Sequence, residues 1–167
     1  HTPGHTMESS CYLLFDKNNK QHSIFTGDTL FINSVGRPDL AVSSNVSLKQ
    51  LASMLYESIK NKILPLNDDI IIYPAHGAGS TCGKNISNKT FDTLKNQKIK
   101  NFALNSSVSK DEFIKIVTKD ISKQPKYFIK NVKLNKSNNI SKVSEITKKQ
   151  FNLSVENFKK EQKKGAL

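Results

Sequence analysis

The sequence has 167 residues, a length typical of one domain with a hydrophobic core, and none of its apolar runs approaches the roughly 18 residues that a membrane-spanning helix needs. The formal net charge of +12 raises the question of a nucleic-acid partner, but Arg37 is the only arginine, and arginine is the usual bidentate ligand of phosphates and bases. Two cysteines are too few for a disulfide framework, so we expect a soluble protein of the cytoplasm without a membrane partner.

The first part of the chain predicts a β-hairpin followed by a helix. Residues 11–15 and 23–26 are short apolar runs separated by the polar turn segment DKNNKQH. After the loop GDTLFINSVGRPDL, leucine and isoleucine recur at helical spacing in residues 48–59, with Ser47 as the N-cap. We therefore expect an amphipathic helix there.

The middle of the chain predicts a buried strand and further helices. Residues 70–73 form a continuous apolar run, typical of a strand buried on both faces, and Pro74 ends it. A helical pattern starts at Ser87, and another follows Ser109, where Glu112 completes a capping box. This order of elements predicts an α/β fold with helices on the outer face of a sheet.

The composition changes after residue 123. We assign residues 1–123 to the α/β domain and residues 124–150 to a connector rich in lysine and asparagine. Residues 151–167 have the pattern of a short capped helix that starts a new unit.

Three side chains with metal-binding chemistry follow a turn or a strand end. His5 comes after a Pro-Gly turn, Asp28 after the second predicted strand, and His76 after the buried strand. Such positions are held rigidly but remain accessible. Imidazole nitrogens together with a carboxylate suit Zn²⁺ or Fe²⁺. The three residues together therefore predict a metal site.

Four short motifs resemble a known superfamily. The stretches HTPGHT, FTGDTLF, VGRPDL and YPAHG, in this order, resemble the third to fifth sequence motifs of the metallo-β-lactamase superfamily. Within it, GDTLF, GRPDL and PAHGAGSTCGKN are similar to the persulfide dioxygenase branch that is fused to rhodanese domains. The resemblance implies that residues 1–123 form the C-terminal half of an αββα sandwich, incomplete by itself, and that residues 151–167 begin a rhodanese domain.

The resemblance also implies roles for individual residues. His5 matches a metal ligand, and Asp28 matches the carboxylate that bridges two metals in the hydrolases and binds the single iron in the dioxygenases. His76 matches a metal ligand of the hydrolases that lies near the iron, but not on it, in the dioxygenases. Arg37 matches a loop arginine that orients Asp28 or an anionic substrate.

One part of the superfamily pattern is absent. The first motif, His-x-His-x-Asp-His, supplies most of the remaining ligands in the superfamily and does not occur in the sequence. We therefore expect the chain to be a fragment of a longer protein. By itself it should bind metal weakly and have no activity.

The implied function is oxidation of a glutathione-type persulfide to sulfite by O₂ at a mononuclear Fe²⁺ centre. Asp28 and Arg37 would be catalytic, and a rhodanese domain in the same polypeptide would exchange sulfane sulfur with the persulfide. The alternative is a binuclear zinc thioester hydrolase of the glyoxalase II type, with two Zn²⁺ ions bridged by Asp28. A second alternative is a basic nucleic-acid-binding module, although the lysines are not interleaved with aromatic residues that stack on bases.

The two cysteines lead to different expectations. Cys82 precedes the helix predicted from Ser87, and a helix N-terminus with Lys84 nearby would lower the pKa of a thiol. Cys82 is therefore either a reactive thiol that handles persulfide or lines the substrate entrance, or a small buried apolar residue. Cys11 opens a predicted strand and is expected in the core.

Overall fold

The computed structural model describes residues 1–42, 45–121 and 153–165, together with residues 131, 134 and 137. The chain divides into two compact units, His1–Lys123 and Gln124–Leu167, and each is described by itself. Apart from the three single positions, the predicted connector lies outside the described residues. The domain assignments made from the sequence stay predictions.

The predicted N-terminal hairpin is confirmed. Strands β1 (Tyr12–Phe15) and β2 (Gln21–Gly27) pair antiparallel. The Asp16 side chain closes the turn between them, because its Oδ1 accepts hydrogen bonds from the backbone N–H groups of Asn18 and Lys20, at 2.8 and 2.9 Å. This side-chain-to-backbone pattern favours a turn over a continued strand.

The hairpin is part of a four-stranded sheet. After a small second hairpin of β3 (Leu30–Phe31) and β4 (Ser34–Val35), strand β5 (Ile71–Pro74) pairs parallel with β2. Strand β6 (Asp92–Thr93) pairs antiparallel with β5, and the strand order is β1-β2-β5-β6. Because β2 and β5 are parallel, their C-terminal ends lie at the same edge of the sheet.

The predicted amphipathic helix is confirmed, and it forms the crossover between the parallel strands β2 and β5. Helix α1 (Leu48–Ser58) begins after Ser47, which forms a capping box with Gln50. The helical path continues as a π-helical turn over Ile59–Ile63, whose first and last side chains are buried.

The next helix begins later than the sequence predicts. Helix α2 (Leu94–Lys100) starts after Thr93, whose Oγ1 accepts a hydrogen bond from the backbone N–H of Asn96 at 3.3 Å. The predicted start at Ser87 is wrong, because the residues just before Leu94 are β6, and they pair with β5.

The remaining helices have the caps expected from their sequences. Helix α3 (Lys110–Thr118) begins after Ser109, whose side chain accepts from the backbone N–H of Glu112. In the second unit, helix α4 (Val155–Lys163) is capped by Ser154 and buries none of its side chains. No helix in the described part of the chain is both long and apolar enough to cross a membrane.

One face of the sheet packs against the helices. Ile24 of β2 and Ile72 of β5 are 3% and 0% exposed, and they form a core with Leu55 of α1, Leu94 of α2 and Phe113 of α3. Burial of this apolar surface is the main stabilising term, at about 25 cal/mol per Å².

The opposite face of the sheet carries exposed apolar side chains. This open face consists of the exposed Tyr12, Leu14, Phe25 and Phe91 and the half-buried Tyr73, with Tyr12 72% and Phe91 54% exposed. The rings of Phe25 and Tyr73 stack with centroids 5.5 Å apart. The prediction that β5 is buried on both faces is therefore met on one face only.

A buried polar network fixes the loop that joins β3 and β4. The Nδ2 group of Asn101, 1% exposed, donates to the carbonyl oxygens of Phe31 and Ser34, both at 3.1 Å. Gln97 accepts a hydrogen bond from the backbone N–H of Asn33 at 2.7 Å. Side chains of α2 and its C-terminal end therefore hold this loop in place.

Asp92 completes the network as a buried carboxylate. Burial raises the pKa of its carboxyl group, but hydrogen bonds from Asn96, Gln97 and the Thr93 N–H, together with the charge of Lys89, outweigh burial and lower the pKa. A carboxyl group with a lowered pKa in the folded state stabilises the fold above its unfolded-state pKa. That contribution is lost as the pH falls through the folded-state pKa.

Asn101→Ala should destabilise the first unit strongly. The substitution leaves two buried carbonyl oxygens without their donor, which lowers the free energy of unfolding by about 2–4 kcal/mol. Urea unfolding followed by circular dichroism measures it. Asn88→Ala, at an exposed position, is the control and should change the value by less than about 0.5 kcal/mol. Equal effects of the two substitutions would contradict a structural role for the network.

Asp92→Asn should change how stability depends on pH. At neutral pH the variant loses the charged acceptor and is less stable than wild type. The difference should shrink as the pH falls below the ordinary range of an aspartate and through the lowered pKa of Asp92, where the folded wild-type carboxylate takes up a proton. Urea unfolding across this range measures it, with the exposed Asp69→Asn as control. A difference that does not depend on pH would show that the charge of Asp92 contributes nothing.

Candidate metal centre

The parallel pair of strands brings Asp28 and His76 together. Gly27 at the end of β2 is in register with Pro74 at the end of β5, and its carbonyl accepts from the backbone N–H of Ala75 at 3.1 Å. The next side chains then meet, with His76 Nε2 3.1 Å from Asp28 Oδ1. The predicted convergence of these two residues at one edge of the sheet is confirmed.

The N-terminal segment delivers His5 to the same edge. A hydrogen bond holds Pro3 against α1, because its carbonyl oxygen accepts from Ser58 Oγ at 2.8 Å. Gly4 has φ +142° and packs so closely on α1 that a Cβ would overlap the backbone of Leu55. His5 is therefore buried, at 8% exposure, next to Asp28.

The orientation of the His5 ring is set by its hydrogen bond. A carbonyl oxygen only accepts, so Nδ1 carries the proton and donates it to the carbonyl of Arg37 at 2.8 Å. In the neutral imidazole Nε2 is then the free acceptor nitrogen, and it lies 3.9 Å from Asp28 Oδ2. A histidine that binds a metal through one ring nitrogen usually donates its other ring N–H to a carboxylate, a backbone carbonyl or water, as Nδ1 of His5 does here.

The distance between His5 and Asp28 fits a shared cation. Two ligand atoms on one tetrahedral zinc ion are about 3.4 Å apart, from metal–ligand distances near 2.1 Å. The 3.9 Å between Nε2 and Oδ2 needs only a small closure to reach this value. Two acceptors that face each other at this distance repel unless a cation or a proton lies between them.

The other oxygen of Asp28 is a second, independent indication that this site binds a cation. Oδ1 is buried and accepts no hydrogen bond within the described part of the chain, although His76 Nε2 is close to it. A buried carboxylate oxygen without a donor is costly unless it binds a cation. The donor set of two imidazoles and a carboxylate fits Zn²⁺ or Fe²⁺.

Gly36 allows the loop to approach the centre. A Cβ at this position would overlap the carbonyl oxygen of Asp28 and would lie 3.0 Å from His5 Nδ1. Only glycine therefore fits between Asp28 and His5 on this side of the centre. The sequence analysis did not single out this residue.

Arg37 contacts the centre through its backbone. Its guanidinium group donates to both carboxylate oxygens of the buried Asp39, at 2.9 and 2.7 Å, and this hydrogen bonding raises the pKa of Arg37. A third hydrogen bond reaches the carbonyl of Thr81 at 3.3 Å. The predicted role of the guanidinium in orienting Asp28 or a substrate stays a prediction. The sequence analysis also missed Asp39 as its partner.

Cys82 lies at the centre, but the helix N-terminus and the free lysine that the sequence predicts beside it are not found there. Its Sγ, a carboxylate oxygen of Asp28 and a ring nitrogen of His76 are all within 4.8 Å of one another. No helix starts at Ser87, and the Lys84 ammonium group donates to the carbonyl of Lys119. Cys11 lies elsewhere, half-buried and packed against the core.

Gly36→Ala should disturb the centre. The methyl group must displace Asp28 or His5, which lowers the free energy of unfolding by about 1–3 kcal/mol. It should also weaken Zn²⁺ binding in a competition titration. Gly77→Ala is the matched control, because a Cβ at Gly77 meets no atom within 4 Å. Unchanged zinc affinity in Gly36→Ala would contradict the proposed position of the ion.

Several curated proteins resemble this chain over part of their length. An uncharacterised protein of Mycobacterium tuberculosis is 42% identical over 84 residues, which cover 50% of this chain and 34% of that protein. Hydroxyacylglutathione hydrolase GloC of Haemophilus influenzae is 38% identical over 84 residues, with the same coverage of both chains. Human persulfide dioxygenase ETHE1 is 33% identical over 117 residues, 70% of this chain and 37% of that enzyme. The chain thus spans about a third of the length of these relatives.

No protein-family model matches the sequence, but solved structures resemble its fold. A metallo-β-lactamase from Staphylococcus aureus superposes with a TM-score of 0.69 and 34% identity over 81% of this chain and 38% of that chain. The ETHE1 protein of Myxococcus xanthus superposes with a TM-score of 0.59 and 28% identity over 80% of this chain and 50% of that chain. The chain therefore has a metallo-β-lactamase-type α/β fold that matches part of these domains, and its relatives include a hydrolase and a dioxygenase.

Proposed function

We propose that this chain is part of a metal-dependent enzyme of the metallo-β-lactamase superfamily, and that the enzyme is a persulfide dioxygenase. The observation that carries the proposal is the orientation of His5, whose Nδ1 is bound to the Arg37 carbonyl so that Nε2 faces the Asp28 carboxylate. The 33% identity to human persulfide dioxygenase ETHE1 over 70% of this chain supports the choice of reaction.

His5 and Asp28 would hold the Fe²⁺ ion, together with a histidine from another segment of the enzyme. The absence of the His-x-His-x-Asp-His motif from the sequence supports this part of the proposal. When bound, Fe²⁺ supplies the redox chemistry by which O₂ oxidises a persulfide. The balanced reaction converts RSSH, O₂ and water into RSH and sulfurous acid, so the terminal sulfur is oxidised and O₂ is reduced.

The residues of this chain would prepare the site for that reaction. The Arg37 carbonyl keeps the proton of His5 on Nδ1, and the Asp28 carboxylate offsets part of the metal charge. The Arg37 guanidinium, whose side chain is 18% exposed, would attract a glutathione-type persulfide anion. A rhodanese domain in the same polypeptide, beginning within residues 151–167, would exchange sulfane sulfur with this substrate.

A second function is favoured by a specific feature of Asp28. Its two oxygens face two different imidazoles, since Oδ2 lies near His5 and Oδ1 near His76. A carboxylate with this geometry is suited to bridge two metal ions, as a binuclear zinc thioester hydrolase requires. The similarity to hydroxyacylglutathione hydrolase GloC supports the same alternative.

The response of metal content to His76→Gln in the full-length enzyme should separate the two functions. In a mononuclear dioxygenase the variant keeps its iron, whereas in a binuclear hydrolase it loses one of two zinc ions. Equilibrium dialysis at fixed Fe²⁺ or Zn²⁺, followed by elemental analysis, measures this.

Two further variants serve as references in that experiment. Asp28→Asn should lower the affinity for either metal at least about tenfold. His22→Gln, an exposed histidine near the start of β2 and so at the far end of that strand, should change nothing. Binding of two zinc ions with loss of one in His76→Gln would overturn the dioxygenase assignment in favour of the hydrolase.

The chain by itself should bind iron weakly and consume no O₂ with glutathione persulfide. His5 and Asp28 provide two ligands, fewer than the three protein ligands of a facial iron site. Anaerobic Fe²⁺ titration and an oxygen electrode test this expectation. Tight stoichiometric iron binding by these 167 residues would contradict the assignment of the third ligand to another segment.

A further inference from the structure

We propose that a cavity on the loop of residues 33–37 binds a small aromatic or branched aliphatic carboxylic acid. The cavity lies between this loop, residues 84–85, Phe102 and the last turn of α3, and its volume is about 180 Å³. None of the predicted metal ligands is among the described residues that line it. The inference therefore goes beyond the proposed function and does not depend on it.

The walls of the cavity are largely apolar. Val35 and Val117 are 5% and 6% exposed, Phe102 is half-buried, and Ile116, 38% exposed, lies at the opening. An engineered apolar cavity of about 150 Å³ binds benzene, and pockets for larger ligands start at about 300 Å³. The cavity in this chain therefore suits one ring or a branched chain of similar size, and it is too small for a nucleotide.

The charges at the cavity favour an anion. Among the described residues that line it, Arg37 and Lys84 are basic and none is acidic. Asp39 offsets the charge of Arg37, because it accepts two hydrogen bonds from the guanidinium group. Lys84 instead donates to the carbonyl oxygen of Lys119, which is uncharged, so within the described part of the chain its ammonium group keeps a net charge and further N–H donors. A carboxylate on an apolar ligand matches this combination.

The two segments that carry the basic residues are joined directly. The Ser34 hydroxyl group donates to the carbonyl of Lys84, and Gly36 forms a β-bridge with Gly83. The backbone N–H of Arg37 donates to the residue before Gly83 at 2.8 Å. A ligand therefore does not need to order these two walls of the cavity, which lowers the entropic cost of binding.

Fluorine NMR of 4-fluorobenzoate with the full-length protein tests the inference. We expect saturable broadening of the probe signal, with a dissociation constant at or below about 1 mM for so small a ligand. The amide 4-fluorobenzamide has the same shape without the charge and should bind about two- to fivefold more weakly. Absence of saturable binding of 4-fluorobenzoate to the wild type would overturn the inference.

Two variants test whether the probe occupies the cavity. Ile116→Glu adds a negative charge at the opening and should weaken binding of 4-fluorobenzoate at least about tenfold. Ile99→Glu is the matched control, at a 76% exposed position of α2 outside the cavity, and should change nothing. Lys84→Gln should weaken binding of the acid to the level of the amide and leave the amide unaffected, because it removes the charge that distinguishes them. Lys100→Gln, at an exposed position of α2, is its control.

Two results would contradict a separate ligand site. Equal binding of 4-fluorobenzoate by wild type, Ile116→Glu and Lys84→Gln would mean that the probe binds another surface, such as the open face of the sheet. Displacement of the probe by glutathione would mean that the cavity belongs to the substrate site of the proposed enzyme. Neither result bears on the metal-dependent function, which is tested by metal content.

Discussion

The hydrogen bond from His5 Nδ1 to the carbonyl of Arg37 is the contact on which the centre depends. It directs the other ring nitrogen at Asp28. The contact requires the loop after β4 to lie against the N-terminal segment, and Gly36 makes this approach sterically feasible. The same loop binds the backbone of Cys82, so one short segment contacts two distant parts of the chain that meet at the centre.

The sequence was sufficient to predict the main elements and the convergence of His5, Asp28 and His76. The hairpin, α1 and the apolar run before Pro74 each have a local pattern, of alternation, helical spacing or a chain break. The metal-binding residues follow turns or strand ends, and parallel strands deliver such residues to one edge. Their positions therefore followed from local rules once β2 and β5 were parallel neighbours.

Other features depend on contacts that no local pattern records. Ser87 looks like a helix cap, but pairing of β6 with β5 moves the helix start to Thr93. The layers that pack against the sheet decide whether one or both faces of β5 are covered. The apolar sequence of β5 is compatible with either case. The place of Cys82 beside Asp28 follows from a bridge between two loops.

The hydrogen bonds of Asn101 have a consequence for genetics. This side chain touches no donor of the centre, yet it carries two carbonyl groups of the loop that leads to Gly36. A substitution of Asn101 would therefore disturb the position of this loop, although every metal-binding residue would still be encoded. A screen for inactive alleles should therefore recover codon 101, and inspection of the liganding residues alone would misclassify such an allele as harmless.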